Sequence, residues 1–430
     1  MLNNIYILII LILLILLSLK IYQNYLYRQE ILKQQQKLVK LKSLQEKDLE
    51  QARSIHQNSI PKQLPQPNNY SIAACFSPAQ HLGGDYYNFF KVEHGSLNIF
   101  FDQYFFYMFD VSGHRIDSAF LAMFVNEAIE NYFKLHHNEG EKVSPAEILK
   151  YIDEQYRSAN YAEDYTISII AGVLELKNNT FTYAATGFHF PFYLLDENNN
   201  LKEIETGGLP ISTTFDVELL KLRDHKINFA ENSSLFICTD GLVDEKRKDK
   251  LFADVLPEKI IEHSQLPAPF LVSKIKEEFI NFIDGQSPED DITFAAIDRI
   301  NGQTIDWQSK VTCEILEKSN NEIQKRLENE LKLNTKLKQK LLEALLKLLS
   351  RALKTTNQFD SKQEIRLRII HQPEQYLYLS LIDQKTAFHL NKELNFCSSK
   401  EEQKLALENS FFELISYNNA GAQIFALKFL

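Results

Sequence analysis

Phe105-Phe106-Tyr107-Met108-Phe109-Asp110-Val111-Ser112-Gly113-His114 joins an aromatic run to an acid and a turn. Its unbroken aromatic and apolar run reads as a strand covered on both faces. The run ends in a carboxylate followed by a Ser-Gly turn. An acid at the mouth of a buried strand is partly desolvated, which costs several kcal/mol unless it is paired or coordinates a metal.

The same arrangement recurs outward along the chain. Gly83-Gly84-Asp85 follows a proline-containing loop, Asp240-Gly241 follows the apolar run Ser234–Cys238, and Asp290-Asp291 opens a strand at Ile292. No lysine or arginine recurs beside these acids. Taken singly, an Asp beside a Gly is a common turn, and spacing does not bring the four together. Carboxylates that do converge without basic partners form the oxygen-rich set that hard divalent cations require, and two ions about 3.5–4 Å apart can share one of them.

Between Asn69 and Ile300 the texture is β-rich, with predicted strands at Tyr70–Phe76, Phe105–Phe109, Tyr165–Leu176, Thr180–Ala185, Ser234–Cys238 and Ile292–Ile297. A helix is predicted from Ile116 to Phe133, and another begins at Ser144-Pro145-Ala146-Glu147, which has a capping box with proline at the first helical position. Strands, helices and strands again predict packed sheets with helices outside. Glycine is scarce, with 13 residues in 430 where average usage gives about 30, so those in the Gly83-Gly84, Gly113 and Gly241 segments fall where the backbone needs them.

Ile55-His56-Gln57 through Ile60-Pro61, Gly83-Gly84-Asp85-Tyr86-Tyr87, Asp110-Val111-Ser112-Gly113-His114, Thr239-Asp240-Gly241 and Asp290-Asp291-Ile292-Thr293 resemble, in order, the motifs of the metal-dependent PPM-type serine/threonine phosphatases. The similar subgroup is the bacterial one typified by sporulation stage II protein E and the sigma-factor regulatory phosphatases. The resemblance implies an α+β fold, a β-sandwich flanked by helices, holding two Mn²⁺ or Mg²⁺ ions. By residue, it makes Asp110 the bridging ligand with the Val111 carbonyl beside it, gives Asp240 and Asp290 to the first ion and Asp85 to the second, and assigns the catalytic work to Asp110 and Asp240. It implies direct hydrolysis by water without a phosphoenzyme, on a phosphorylated regulatory protein such as an anti-sigma factor antagonist. A catalytically silent scaffold of the same fold is the alternative. The sequence departs from the subgroup at Arg115, at Ser212 and across Thr186–Pro191, which bears on helix docking and substrate fit.

The rest of the chain sets the context. With 57 acidic and 47 basic residues, a net charge of −10 gives no general attraction to phosphate polymers, so no nucleic-acid partner is expected. Residues 1–22 read as a single membrane-spanning anchor because Ile5–Leu17 is almost wholly Ile and Leu. The lysines that follow place the catalytic part in the cytoplasm, at the inner membrane. Residues 23–58 form a helical stalk whose partial heptads, with Ile31, Leu38 and Ala52 on one seam, allow a weak coiled-coil homodimer. The phosphatase-like domain spans 59–300. Residues 305–430 resemble a degenerate histidine-kinase-like ATPase domain, with a helical run at 320–353, strands at Glu364–Ile370 and Tyr376–Ile382, a helix near Lys400–Ile415 and a last strand at Gln423–Leu430. Lys347 and Asp383-Gln384-Lys385 stand where that family carries its nucleotide motifs.

Overall fold

The computed structural model describes the backbone of residues 2–300, except 62–63, 80–81, 95–101, 114–115, 136, 139 and 162–164, and five strands beyond residue 302; it describes side chains from residue 17 to 300, with the same gaps and those at 21, 45, 57 and 58. The chain divides into two compact units, Met1–Ile55 and His56–Leu430.

The first unit is helical. Helix α1 (Leu2–Ser59) runs unbroken, and its last turn belongs to the second unit. The absence of glycine and proline removes the usual helix breakers from this length. Of the predicted seam residues, Ile31 and Leu38 are exposed and Ala52 is half-buried. Among the described residues no helix is long and apolar enough to cross a membrane. Of the predicted span, residues 1–22, the side chains of 1–16 and 21 lie outside the described residues.

The second unit is built in chain order from β1 (Tyr70–Ser77), β2 (Tyr86–Lys91), β3 (Gln103–Val111), α2 (Ile116–Leu135), α3 (Pro145–Ala159), β4 (Ile167–Glu175), β5 (Thr180–Thr186), β6 (Phe192–Leu195), β7 (Leu201–Ile204), β8 (His225–Asn228), β9 (Ser234–Cys238), α4 (Asp240–Val243), the short hairpin β10 (Lys246–Arg247) and β11 (Lys250–Leu251), α5 (Leu256–Glu262), α6 (Ala268–Ile283) and β12 (Ile292–Arg299). Two antiparallel sheets result, ordered β1-β12-β9-β6-β7 and β2-β3-β4-β5-β8.

Strand alternation divides the first sheet between two cores. Tyr70, Ile72, Ala74, Leu235, Ile237, Ala295 and Ile297 face the second sheet and share a core with Phe105, Tyr107, Phe109 and Ile169. Their neighbours Ala73, Cys75, Phe236, Cys238, Phe294 and Ala296 turn the other way, under Leu271, Ile275 and Phe279 of α6. Helices α2 and α3 cover the second sheet. The start of α3 follows its sequence signal: Ser144 Oγ accepts the Glu147 N–H at 3.3 Å, and Pro145 occupies the first turn. The last turn of α1 is tied to β2, since the Tyr86 hydroxyl donates to the Ser59 carbonyl.

The predicted strands β1, β3, β4, β5, β9 and β12 and the helix α2 appear with ends shifted by a few residues. Strands β2, β6, β7 and β8 and helices α5 and α6 add to them. Beyond residue 302, β13 (Gln303–Lys310), β14 (Glu364–Gln372), β15 (Tyr376–Asp383), β16 (Phe412–Asn419) and β17 (Ala422–Phe429) form an antiparallel sheet ordered β13-β14-β15-β17-β16. The helix expected to reach Ile415 is corrected over 412–415, where the chain pairs with β17 as a hairpin strand. Cross-strand partners, invisible to local propensity, decide such segments. The run at 320–353, including Lys347, lies outside the described residues.

One buried acid lies far from the motif residues. Asp298 sits near the end of β12 between Ser71 and Ser234, with the Ser234 hydroxyl donating to its Oδ1 and no hydrogen-bond partner for Oδ2 among the described residues. Burial pushes its carboxyl up to about 7, against the stabilising Ser234 hydroxyl. The folded value lies above the unfolded one, so this group favours folding most below about pH 4, and its contribution is lost as pH rises through 7. Asp298→Asn, neutral at every pH, is expected to raise the melting temperature relative to wild type at pH 8 and less so at pH 5, read by thermal denaturation. An equal shift at both pH values would show that Asp298 does not titrate in the fold.

Candidate active site

Antiparallel pairing makes the site. In the second sheet β2 begins where β3 ends, because Tyr86 pairs with Phe109. That register sets Asp85, just before β2, beside Asp110 at the end of β3. In the first sheet the end of β9 meets the start of β12, because Cys238 pairs with Phe294. Thr239 and Asp240 therefore lie beside Asp290 and Asp291. Each sheet contributes one pair of acidic segments, and the sandwich brings the two pairs together.

Their electrostatics report the convergence. Burial, followed by the charges of Asp110 and Asp291, drives the Asp85 carboxyl well above the usual carboxylate range. Asp110 is raised well above it by burial and then by Asp240 and Asp290. Asp240 is raised by burial, Asp290 and Asp244, with His189 opposing. These effects run from one sheet to the other, so all four sequence-predicted ligands, Asp85, Asp110, Asp240 and Asp290, face one another's fields. Among the described residues no lysine or arginine forms an ion pair with Asp85, Asp110 or Asp240.

Hydrogen bonds and close packing hold the segments in place. Thr239 heads α4 without capping it; its hydroxyl instead donates to Asp85 Oδ2 at 2.7 Å, while its oxygen accepts the Thr293 N–H at 3.2 Å. The Val111 N–H donates to the Gly84 carbonyl at 3.3 Å. A Cβ on Gly84 would stand 2.3 Å from the Val111 carbonyl oxygen, the backbone ligand expected from sequence. Only glycine permits that approach. After Asp110 the turn is fixed by Ser112, whose N–H donates to the Thr166 carbonyl and whose Oγ accepts the Thr166 N–H, both at 2.9 Å.

Thr239 and Asp291 are the site residues that sequence reasoning passed over. Asp291 is buried, and its carboxylate accepts the Ala79 N–H on Oδ1 and the Gly84 N–H on Oδ2, each at 2.8 Å. Burial raises its carboxyl to about 6 in spite of those donors. The doubled acid Asp290-Asp291 was the visible signal, since one strand mouth rarely needs two carboxylates. A second grouping also gathers at this end: His189, Asp240 and Asp244 place ligand atoms within 4.8 Å of one another. His114 and Arg115 lie outside the described residues.

With this geometry in view, the comparisons with known proteins are specific. Residues 102–300 match the family model of stage II sporulation protein E. The match includes Asp110, Val111, Asp240 and Asp290, and Asp85 precedes it. Phosphoserine phosphatase RsbU of Bacillus subtilis is 22% identical over 253 residues, covering 59% of this chain and 70% of that protein. Protein IcfG of Synechocystis is 25% identical over 282 residues, covering 59% of this chain and 41% of its own length. Among solved structures, the SiaA-PP2C domain of Pseudomonas aeruginosa superposes with a TM-score of 0.48 at 17% identity, covering 60% of this chain and 98% of that one. The segment from 102 to 300 thus resembles the stage II sporulation protein E family and a phosphoserine phosphatase, the family that the motifs led one to expect.

Gly241 tests the architecture. A Cβ there would fall 1.9 Å from the Asp291 carbonyl oxygen, a backbone atom that cannot swing aside. Gly241→Ala is therefore expected to push the start of β12 from α4, destabilising the fold by about 1–3 kcal/mol and removing phosphatase activity. Denaturant melts and turnover measured together would check it, and an active variant of wild-type stability would refute the packing.

Proposed function

We propose that the protein is a membrane-anchored phosphatase that hydrolyses phosphoserine or phosphothreonine on a regulatory protein, with two Mn²⁺ or Mg²⁺ ions as cofactors. The observation that carries the reading is the meeting of Asp85, Asp110, Asp240 and Asp290 at one end of the sandwich, with carboxyls raised at three of them by burial and mutual repulsion. Such a set is unstable as bare anions and fits hard divalent cations, which bind oxygen and cancel the repulsion. The Val111 carbonyl, kept close to Gly84, adds a neutral oxygen donor.

Asp110 would bridge the ions, Asp240 and Asp290 would complete one and Asp85 the other. When bound, the ions would lower the pKa of water and neutralise the charge developing on the phosphoryl group. The protein's own part is positional: Thr239 orients Asp85, Ser112 fixes the turn after Asp110, and the short α4 presents Asp240 at its first turn.

The relative RsbU is named a phosphoserine phosphatase, and the match to it supports a phosphoserine-bearing protein as substrate. An anti-sigma factor antagonist in a partner-switching pathway is the substrate that the motif resemblance favours. The apolar run Ile5–Leu17 and the lysines after it support anchoring with the catalytic part in the cytoplasm. The exposed seam residues Ile31 and Leu38 of α1 support a homodimer through the stalk.

Hydrolysis of a generic phosphate ester is expected to require Mn²⁺ or Mg²⁺, and Asp110→Asn or Asp240→Asn to reduce it roughly a hundredfold or more, about 2.7 kcal/mol in barrier, with circular dichroism unchanged. Full turnover in excess chelator would refute the metal mechanism. The full chain is expected to sediment with membranes and its phosphatase domain to be shielded from protease added outside intact cells. Recovery of the full chain in the soluble fraction would refute the anchor.

A further inference from the structure

Asp291 spends both carboxylate oxygens on the backbone. Oδ1 accepts from the Ala79 N–H and Oδ2 from the Gly84 N–H, each at 2.8 Å, and the Asp85 N–H also turns toward it. Its neighbours are fitted around it at atomic distance: a Cβ on Gly83 would stand 2.2 Å from Asp291 Oδ2, and one on Gly241 1.9 Å from the Asp291 carbonyl. One residue thus touches the loop that carries Asp85, the helix that carries Asp240 and the adjacent Asp290.

From this geometry we infer that Asp291 is a positioning residue that clamps the Gly83-Gly84-Asp85 loop of one sheet against the Asp240 and Asp290 segment of the other, so that the site keeps its geometry for divalent ions. In this arrangement both its oxygens face backbone N–H donors, which is a positioning role distinct from the ligand role given to Asp290. Two donors pointing at one side chain need two acceptors, which a carboxylate supplies and a carboxamide does not. An Asn would accept one N–H and turn its own NH₂ toward the other. A buried donor left unsatisfied destabilises the loop that holds it. The carboxylate of Asp85 is separately steered by Thr239, so losing the clamp loosens the backbone under Asp85 while leaving its side-chain contact. Groups that orient metal ligands from behind typically change metal affinity about 10–100-fold when removed.

The inference rests on the metal-dependent reading, and the experiment separates the two. Mn²⁺ binding to the full chain is measured by electron paramagnetic resonance of free Mn²⁺, alongside turnover as a function of Mn²⁺. For Asp291→Asn the Mn²⁺ dissociation constant is expected to rise roughly tenfold or more, with turnover largely recovered at saturating Mn²⁺. Gly83→Ala, whose new methyl would displace the Asp291 carboxylate from the other side, is expected to shift binding in the same direction and decides the matter if the Asn variant does not fold. An Asp291→Asn chain that folds and binds Mn²⁺ as wild type does would overturn the clamp alone, as would unchanged binding with turnover lost at every Mn²⁺ concentration. Absence of Mn²⁺ binding by the wild-type chain would instead overturn the metal assignment on which the clamp depends.

Discussion

Everything in the catalytic unit follows from placing like charges together where water is scarce. Asp85 and Asp110 are brought side by side by the Tyr86–Phe109 register, and Asp240 and Asp290 by the Cys238–Phe294 register. The carboxyls of Asp85, Asp110 and Asp240 are pushed toward their neutral forms by burial and by neighbouring acids. Repulsion of this kind would splay a flexible site. Two antiparallel sheets with a shared aromatic and aliphatic core resist it, because Asp110 lies within β3 and the other three acids stand within two residues of strands held in register.

The rigid parts near the acids are backbone parts. Glycines at 83, 84 and 241 let main chain approach main chain or carboxylate at distances that a single methyl group would forbid. Thr239 links the two sheets through Asp85 on one side and Thr293 on the other. The site is therefore held by short polar contacts across the sheets, while the hydrophobic core holds the sheets themselves. The two kinds of force have separate consequences: weakening the core unfolds the domain, and weakening the polar contacts alters the spacing of the acids.

Much of this was legible in the sequence, and the reason differs from element to element. The run Phe105–Phe109 and the segment Ser234–Cys238 announce strands because their burial leaves little choice of residue. Ser144-Pro145 announces a helix start through local chemistry that needs no tertiary partner. Strand β16 gave no such signal, and a helix was expected to run into it, because its identity lies in pairing with β17. Strands β6 to β8 are each four residues long, too short for an alternation to register.

The sequence by its own pattern singled out four acids, each at the edge of an apolar run or in a glycine turn, without basic neighbours, in an order that resembles one phosphatase family. It could do so because a carboxylate at a buried strand end is an expense that local structure never requires. Only the tertiary structure decided that these acids meet, and which of the paired acids Asp290 and Asp291 is spent on the backbone. The contacts of Asp291 reach across more than two hundred residues of chain to Ala79 and Gly84. Hydrogen bonds over such separations leave no periodicity or spacing in the sequence, and they exist only after both sheets have closed on one core.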